Sequence, residues 1–160
     1  MNIERIVDLA ASPATVWRCM TDPDQVARWI TELVSDEPTT PPPTGVGTRT
    51  RMTIREGSRI VEYATEILAY VPRRELVLEM RGGSLGAEPM RVSYRLTDLD
   101  GSTRLTYRAS WRPRGFLLHL LFPLIVVLGR RNLRRTLRRL AELVATPPLA
   151  LALTTREDVA

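Results

Sequence analysis

The sequence has few of the side chains that metal ions and covalent chemistry require. It contains one cysteine, Cys19, and one histidine, His119, and all 23 of its basic residues are arginines. A single cysteine excludes an internal disulfide and favours a reducing compartment, so we expect a cytoplasmic protein. One cysteine and one histidine also exclude an ordinary zinc site, and no phosphate-binding loop is present. We therefore expect neither a metal ion nor a cofactor.

A hydrophobic run long enough to cross a bilayer is also lacking. The longest apolar stretch, Phe116 to Leu128, contains His119 and Pro123 and is followed by Gly129 and then by arginines. It is shorter than the roughly 20 apolar residues that a spanning helix needs. The stretch therefore predicts a buried or interfacial helix rather than a membrane span.

The chain from Phe116 to Val144 predicts an amphipathic helix packed on a core. The apolar residues of its second half recur at helical spacing, with arginines over the remaining faces. These apolar residues are Leu133, Leu137, Leu140 and Val144. Extending the stripe backwards places His119 and Phe122 on the same side, and Pro123 is expected to loosen or break the helix just before it.

Two other partners remain open for the apolar segment 116–128. It is apolar all round, so it is also suited to contact with a second copy of the chain, giving a homodimer, or with a membrane surface as a peripheral segment. The net charge of +5 favours anionic surfaces only mildly. The arginines have no interleaved aromatic residues and no recognised motif, so we expect no nucleic-acid partner.

The first third of the chain predicts one strand and two short helices. Ile3 to Leu9 alternates as a strand does. Ser12 followed by Pro13 is a helix start, because serine caps the free backbone N–H groups and proline needs no partner at the first helical position. Asp22 followed by Pro23 repeats the signal, and apolar residues continue at helical spacing to Leu33. The segment 35–45 is rich in proline and predicts a surface loop.

From Gly47 to Trp111 the apolar residues recur at every second position, which predicts an antiparallel meander. The predicted strands are Thr48–Arg55, Arg59–Tyr70, Glu75–Arg81, Met90–Leu96 and Arg104–Trp111. One face is apolar and collects Thr50, Met52, Ile54, Val61, Tyr63, Thr65, Ile67, Leu76, Leu78, Met80, Val92, Tyr94, Leu96, Leu105, Tyr107, Ala109 and Trp111. The other face collects arginines and glutamates, which predicts a solvated surface of cross-strand ion pairs. No carboxylate falls on the apolar face in this register, so paired acids for proton transfer are not expected there.

Four stretches of the sequence, in this order, are similar to the START-like and pollen-allergen-like superfamily often labelled SRPBCC. They are Ala11–Ile30, Gly45–Met52, Ile67–Met80 and Gly101–Trp111. The sequence most resembles the polyketide cyclase/dehydrase branch, and the resemblance reaches about Val144. It implies an α+β helix-grip fold, in which a curved antiparallel sheet of about six strands wraps around a long C-terminal helix, with two short helices after the first strand.

The resemblance also implies a cavity for an apolar small molecule between the sheet and the last helix. Apolar walls with a few hydroxyl groups are typical of a ligand pocket, although a core filled by its own side chains fits the same pattern. The candidate ligand-binding residues are Thr50, Met52, Tyr63, Thr65, Leu78, Met80, Val92, Tyr94, Tyr107, Trp111, His119 and Phe122. For catalysis, His119 and Tyr63 are the weak candidates, because His119 is the only side chain that titrates near neutral pH without perturbation.

Three functions follow from these patterns. The favoured one is binding of a hydrophobic small molecule or lipid in the cavity, because the predicted cavity face carries no charge. A polyketide cyclase or dehydratase that uses the same cavity is the first alternative, and an interaction protein that dimerises or touches a membrane through 116–128 is the second. We expect residues 1–145 to form a single domain and residues 146–160, which follow a double proline, to form a flexible tail.

Overall fold

The computed structural model describes residues 2–83, 88–111 and 116–145, and the side chains of 116–128 and of residue 130 are outside this description. The described residues form strands and helices in nearly the predicted order. The elements are β1 (Asn2–Leu9), α1 (Pro13–Thr21), α2 (Pro23–Trp29), β2 (Leu33–Pro38), β3 (Arg49–Glu56), β4 (Arg59–Val71), β5 (Glu75–Gly82), β6 (Met90–Asp98), β7 (Thr103–Trp111) and α3 (Phe116–Ala145). The predicted tail, residues 146–160, lies outside the described residues.

The strands form one antiparallel sheet in the order β1-β7-β6-β5-β4-β3-β2. From β2 to β7, each strand pairs with the next one along the chain, as the meander prediction requires, and β1 pairs with β7 at one edge. Helices α1 and α2 lie in the connection between β1 and β2, so they link the two opposite edges of the sheet. The predicted α+β helix-grip fold is confirmed.

The strand β2 was not predicted, and it raises the number of strands from about six to seven. The sequence assigned Leu33 to the second helix and the residues after it to a loop, but α2 ends at Trp29 and Leu33–Pro38 pairs with β3. Local pattern does not reveal this strand, because its backbone hydrogen bonds come from a partner distant in sequence. Pro38 is tolerated because it lies at the end of an edge strand.

Both predicted helix starts are confirmed in α1 and α2. The side chain of Ser12 accepts a hydrogen bond from the backbone N–H of Thr15 at 3.3 Å, and that of Asp22 accepts one from Asp24 at 3.0 Å. The buried indole N–H of Trp29 donates to the carbonyl of Cys19 at 2.9 Å. This bond fixes the angle between the two helices and holds their apolar sides toward the sheet.

The second half of α3 packs on the core as predicted. Leu137, Leu140 and Val144 are buried against residues of α1, α2 and the sheet, and Leu133 is partly buried beside them. The predicted break before Pro123 is wrong, because α3 is assigned as one helix from Phe116 to Ala145. A proline inside a helix removes one backbone hydrogen bond and crowds the preceding turn, at a cost of about 3 kcal/mol, and α3 is assigned through Pro123 in spite of it.

The face of the sheet away from the core carries ion pairs, as predicted. They include Arg104 with Asp8 at 2.7 Å and Arg95 with Glu75 at 2.9 Å. Their side chains are largely exposed, and such pairs each contribute about 0–1 kcal/mol. The outer face is therefore the solvated side of the sheet. The inner face packs against α3, so a ligand site is expected there.

Candidate ligand-binding site

The inner face brings together ten of the twelve predicted ligand-binding residues. Cross-strand partners in a sheet point to the same side, so the register arranges these residues in rows. The rows are Thr50–Thr65–Met80–Met90–Trp111, Met52–Tyr63, Leu78–Val92–Ala109 and Leu76–Tyr94–Tyr107. The other two, His119 and Phe122, belong to the part of α3 whose side chains are outside the description. The binding role of all twelve residues stays a prediction.

The prediction that no carboxylate lies on the inner face is wrong. Asp36 of β2 is the cross-strand partner of Met52, so it points to the inner side. Glu56 follows Met52 and Ile54 in steps of two along β3 and shares their face. Asp36 belongs to the strand that the sequence did not predict, and Glu56 extends β3 one residue beyond the predicted end.

The inner face also carries a positive charge that the sequence prediction missed. Arg5 of β1 is the cross-strand partner of Tyr107, and it lies between the inward-facing Ile3 and Val7. The alternation of the first strand already places Arg5 on the same side as Ile3 and Val7. The sequence prediction assigned faces only to the strands from Gly47 to Trp111. The inner face therefore carries charge, and its composition does not by itself favour binding over catalysis.

Tyr63 is held at one end of the inner face by two contacts. It is 4% exposed, and its hydroxyl donates a hydrogen bond to a carboxylate oxygen of Glu56. Its ring lies directly over the backbone of Gly83, where an added Cβ would come within 2.3 Å of the ring carbon Cζ. Gly83 has a φ of 52°, which favours glycine, so the sequence needs glycine here both for the backbone and for the ring.

Asp36, Thr50 and Thr65 form a polar group on the inner side of β2, β3 and β4. The hydroxyl oxygens of Thr50 and Thr65 are 2.8 Å apart and share a hydrogen bond. Partial burial raises the pKa of Asp36 above the usual 3.8, and a hydrogen bond from Thr50 acts in the opposite direction. The group offers hydroxyl donors and acceptors on an otherwise apolar wall.

Tyr94 and Tyr107 lie in the middle of the inner face. Their rings meet edge to face, with centroids 5.3 Å apart and an interplanar angle of 72°. Burial raises the pKa of both, that of Tyr107 to about 12. Both phenols therefore stay protonated near neutral pH and keep a hydrogen to donate.

The buried residues of the inner face divide into two groups. Leu9, Leu76, Leu96 and Leu105 belong to the core cluster that includes the second half of α3. A second group is as deeply buried but lies outside the cluster that the described residues form. It consists of Tyr63, Val92, Ala109 and Trp111. One of them, Trp111, ends β7, and α3 begins at Phe116.

Two recesses lined by described residues lie away from this second group. One, of about 970 Å³, is bordered by the start of α1 and by Arg73, Arg74 and Arg95. The other, of about 290 Å³, follows the charged outer side of β3 to β5. Neither recess is lined by a residue of α3, so neither is the cavity expected beneath that helix.

The fold places the protein among the helix-grip proteins, and a match to a family model identifies its family. An antiparallel sheet that bears on one long C-terminal helix, with two short helices bridging its edges, is a helix-grip fold. The model of the family described as "Polyketide cyclase / dehydrase and lipid transport" matches residues 1–145. The chain belongs to this family, which confirms the resemblance drawn from the sequence. None of the curated proteins compared with the chain matches it.

Several solved structures share the fold at low sequence identity. TTHA0849 from Thermus thermophilus is 17% identical with a TM-score of 0.74, and the match covers 91% of this chain and 97% of that one. A conserved protein from Geobacillus kaustophilus is 17% identical with a TM-score of 0.75, covering 91% and 95%. DynU16, a protein of the dynemicin biosynthetic locus, is 24% identical with a TM-score of 0.66, covering 91% of this chain and 47% of that one. These similarities establish the fold.

No helix in the described part of the chain is long and apolar enough to cross a membrane.

Proposed function

We propose that the protein binds a hydrophobic small molecule or lipid between the inner face of the sheet and the first half of α3. The make-up of the inner face carries this proposal, because apolar and aromatic side chains there surround a few hydroxyl groups. The second half of α3 packs on the leucine cluster, and Tyr63, Val92, Ala109 and Trp111 are further buried residues of the inner face. A ligand between these four residues and α3 is the natural occupant in a family that includes lipid transport proteins.

The chemistry of the second group suits such a ligand. Apolar and aromatic side chains with a few fixed polar groups are the usual lining of a small-molecule site. Val92, Ala109 and Trp111 supply the apolar wall, and Met80 and Met90 adjoin them on neighbouring strands. The flexible methionine side chains allow such a wall to adapt to ligands of different shape.

A tryptophan placed inside the proposed cavity tests this function. In the Ala109→Trp variant the indole would occupy the ligand's space, so we expect the affinity for an uncharged hydrophobic dye, N-phenyl-naphthylamine, to fall roughly ten-fold or more. The variant should stay folded, because a ligand cavity has room for the added ring. The measurement is a fluorescence titration of the dye, with a thermal melt of each variant.

The matched control is Ala64→Trp, which adds the same side chain to an exposed position of β4 on the outer face. This variant should bind the dye as the wild type does. If the wild type binds no dye and Ala109→Trp unfolds the protein, the inner face is solidly packed and the proposal is wrong.

A second candidate function, a polyketide cyclase or dehydratase, is favoured by the hydrogen bond between Tyr63 and Glu56. A buried phenol on a carboxylate is a pair able to move a proton, and Asp36 adds an acid whose pKa is raised. Turnover of a polyketide substrate by the wild type, lost in Tyr63→Phe while dye binding persists, would establish this function.

A further inference from the structure

Arg5 is a charged residue in an apolar setting. It lies on β1 and faces the inner side, as the cross-strand partner of Tyr107. Its Nε atom is buried, and no described residue accepts a hydrogen bond from it. No ion pair of Arg5 occurs among the described residues either, although most arginines of the neighbouring strands have one.

The acidic residues nearest to Arg5 in sequence form ion pairs with other arginines. Glu4 and Asp8 of the same strand face the outer side, where Glu4 pairs with Arg108 and Asp8 with Arg104. On the inner face, Glu56 accepts the hydrogen bond from Tyr63. Asp36 lies on β2, at the opposite edge of the sheet from β1. The described carboxylates of the inner face therefore leave Arg5 without a counter-ion.

A buried donor without an acceptor is costly for a folded protein, and the Nε atom of the half-buried Arg5 is such a donor. A ligand with an acceptor for this N–H would remove the cost. Arginine presents its N–H groups as a planar fork that matches a carboxylate, to which it binds with two parallel hydrogen bonds.

The position of Arg5 fits the end of an elongated ligand. Val7 and Leu9 follow Arg5 on the same face of β1, and both contact the leucine cluster. On the other side, Ile3 is in register with Ala109 of the second buried group. Arg5 therefore lies between residues that pack on the leucine cluster and the row of the inner face that contains Ala109.

We propose that Arg5 binds the anionic end of the ligand, and that the ligand is an amphipathic carboxylate whose apolar chain lies over Val92, Ala109 and Trp111. This inference rests on the proposed binding function and adds the chemical class of the ligand. The protonated hydroxyl of Tyr107, on the neighbouring strand, is a second donor in the same row. The cavity supplies affinity for the chain, and Arg5 supplies the preference for a negative charge.

Two ligands of equal chain length test the inference. Dodecanoate carries a carboxylate and dodecanol an uncharged hydroxyl, and each is titrated by displacement of the naphthylamine dye below its micelle concentration. We expect the wild type to bind dodecanoate roughly ten- to hundred-fold more tightly than dodecanol, as a charge-assisted hydrogen-bonded pair provides. In Arg5→Gln this preference should disappear while the affinity for dodecanol stays unchanged. The control Arg108→Gln removes one positive charge from the outer face and should keep the preference.

The outcomes separate this inference from the proposed function. Equal binding of both ligands by the wild type, or an unchanged preference in Arg5→Gln, overturns the role of Arg5 and leaves the cavity intact. Binding of neither ligand overturns both. Loss of both ligands to the same extent in folded Arg5→Gln also overturns the role of Arg5, because an anion anchor acts only on the anion.

The stability of the ligand-free protein provides a second readout. Because Arg5 lacks a partner in the empty protein, Arg5→Met should raise the melting temperature, by about 2–4 °C. A structural arginine would behave in the opposite way, so a lower melting temperature in Arg5→Met would contradict the inference.

Discussion

Replacing Leu140 with alanine is expected to lower the free energy of unfolding by about 2–5 kcal/mol, as in other buried leucine positions. Leu140 is 0% exposed and lies in the cluster where α3 meets α1, α2 and the sheet. Its removal leaves a cavity at the point that holds the helix against the inner face. Because the proposed ligand lies beneath the same helix, dye binding should weaken together with stability.

The effect is measured by urea unfolding of the wild type and the variant, followed by tryptophan fluorescence. Leu99→Ala is the control, since Leu99 is 36% exposed in the turn between β6 and β7. The same deletion there should change stability by less than about 0.5 kcal/mol. A loss below about 1 kcal/mol in Leu140→Ala would show that the second half of α3 does not anchor the helix as described.

Replacing Gly83 with alanine is expected to destabilise the protein through two separate effects. Its φ of 52° costs an L-residue about 1–2 kcal/mol. The added Cβ also overlaps the ring of Tyr63, which has little freedom to move because it is buried and hydrogen-bonded to Glu56. Displacing a buried ring in this way adds about 1–3 kcal/mol.

Gly57→Ala separates the two effects. Gly57 has a similar φ of 63°, and an added Cβ there meets no atom within 4 Å. Thermal or urea unfolding of both variants should therefore show a clearly larger loss for Gly83→Ala. Equal losses would mean that Tyr63 is not packed on Gly83, and the description of this end of the site would then be wrong.

Much of the fold was predictable because its signals are local. The two capping pairs, Ser12 with Pro13 and Asp22 with Pro23, mark α1 and α2 where the structure has them. Strict alternation from Gly47 to Trp111 gave five strands to within two residues at each end. The stripe of Leu137, Leu140 and Val144 identified the buried side of α3.

Strand β2 was missed because it depends on a partner distant in sequence. Leu33 to Pro38 form β2 because they pair with the edge of β3. The residues themselves show no strand pattern that would predict this pairing. Pro123 was expected to loosen or break α3, and the break does not occur, since the helix is assigned from Phe116 to Ala145.

The sequence predicted the apolar residues that line the candidate site but not its charged residues. Alternation alone placed ten ligand-binding candidates on the inner face, since cross-strand register follows from period two. Asp36 reached that face through an unpredicted strand, and Arg5 through the register of β1 with β7. The polar groups that decide between binding and catalysis are therefore the ones that the sequence left out.

The most direct test of a ligand between the sheet and α3 is native mass spectrometry of the full chain, purified without detergent. A binding protein of this kind should carry a lipophilic molecule that leaves when the protein is unfolded, and Ala109→Trp should carry none. A wild-type spectrum that shows only the bare chain, together with no uptake of added dye or dodecanoate, would contradict the account.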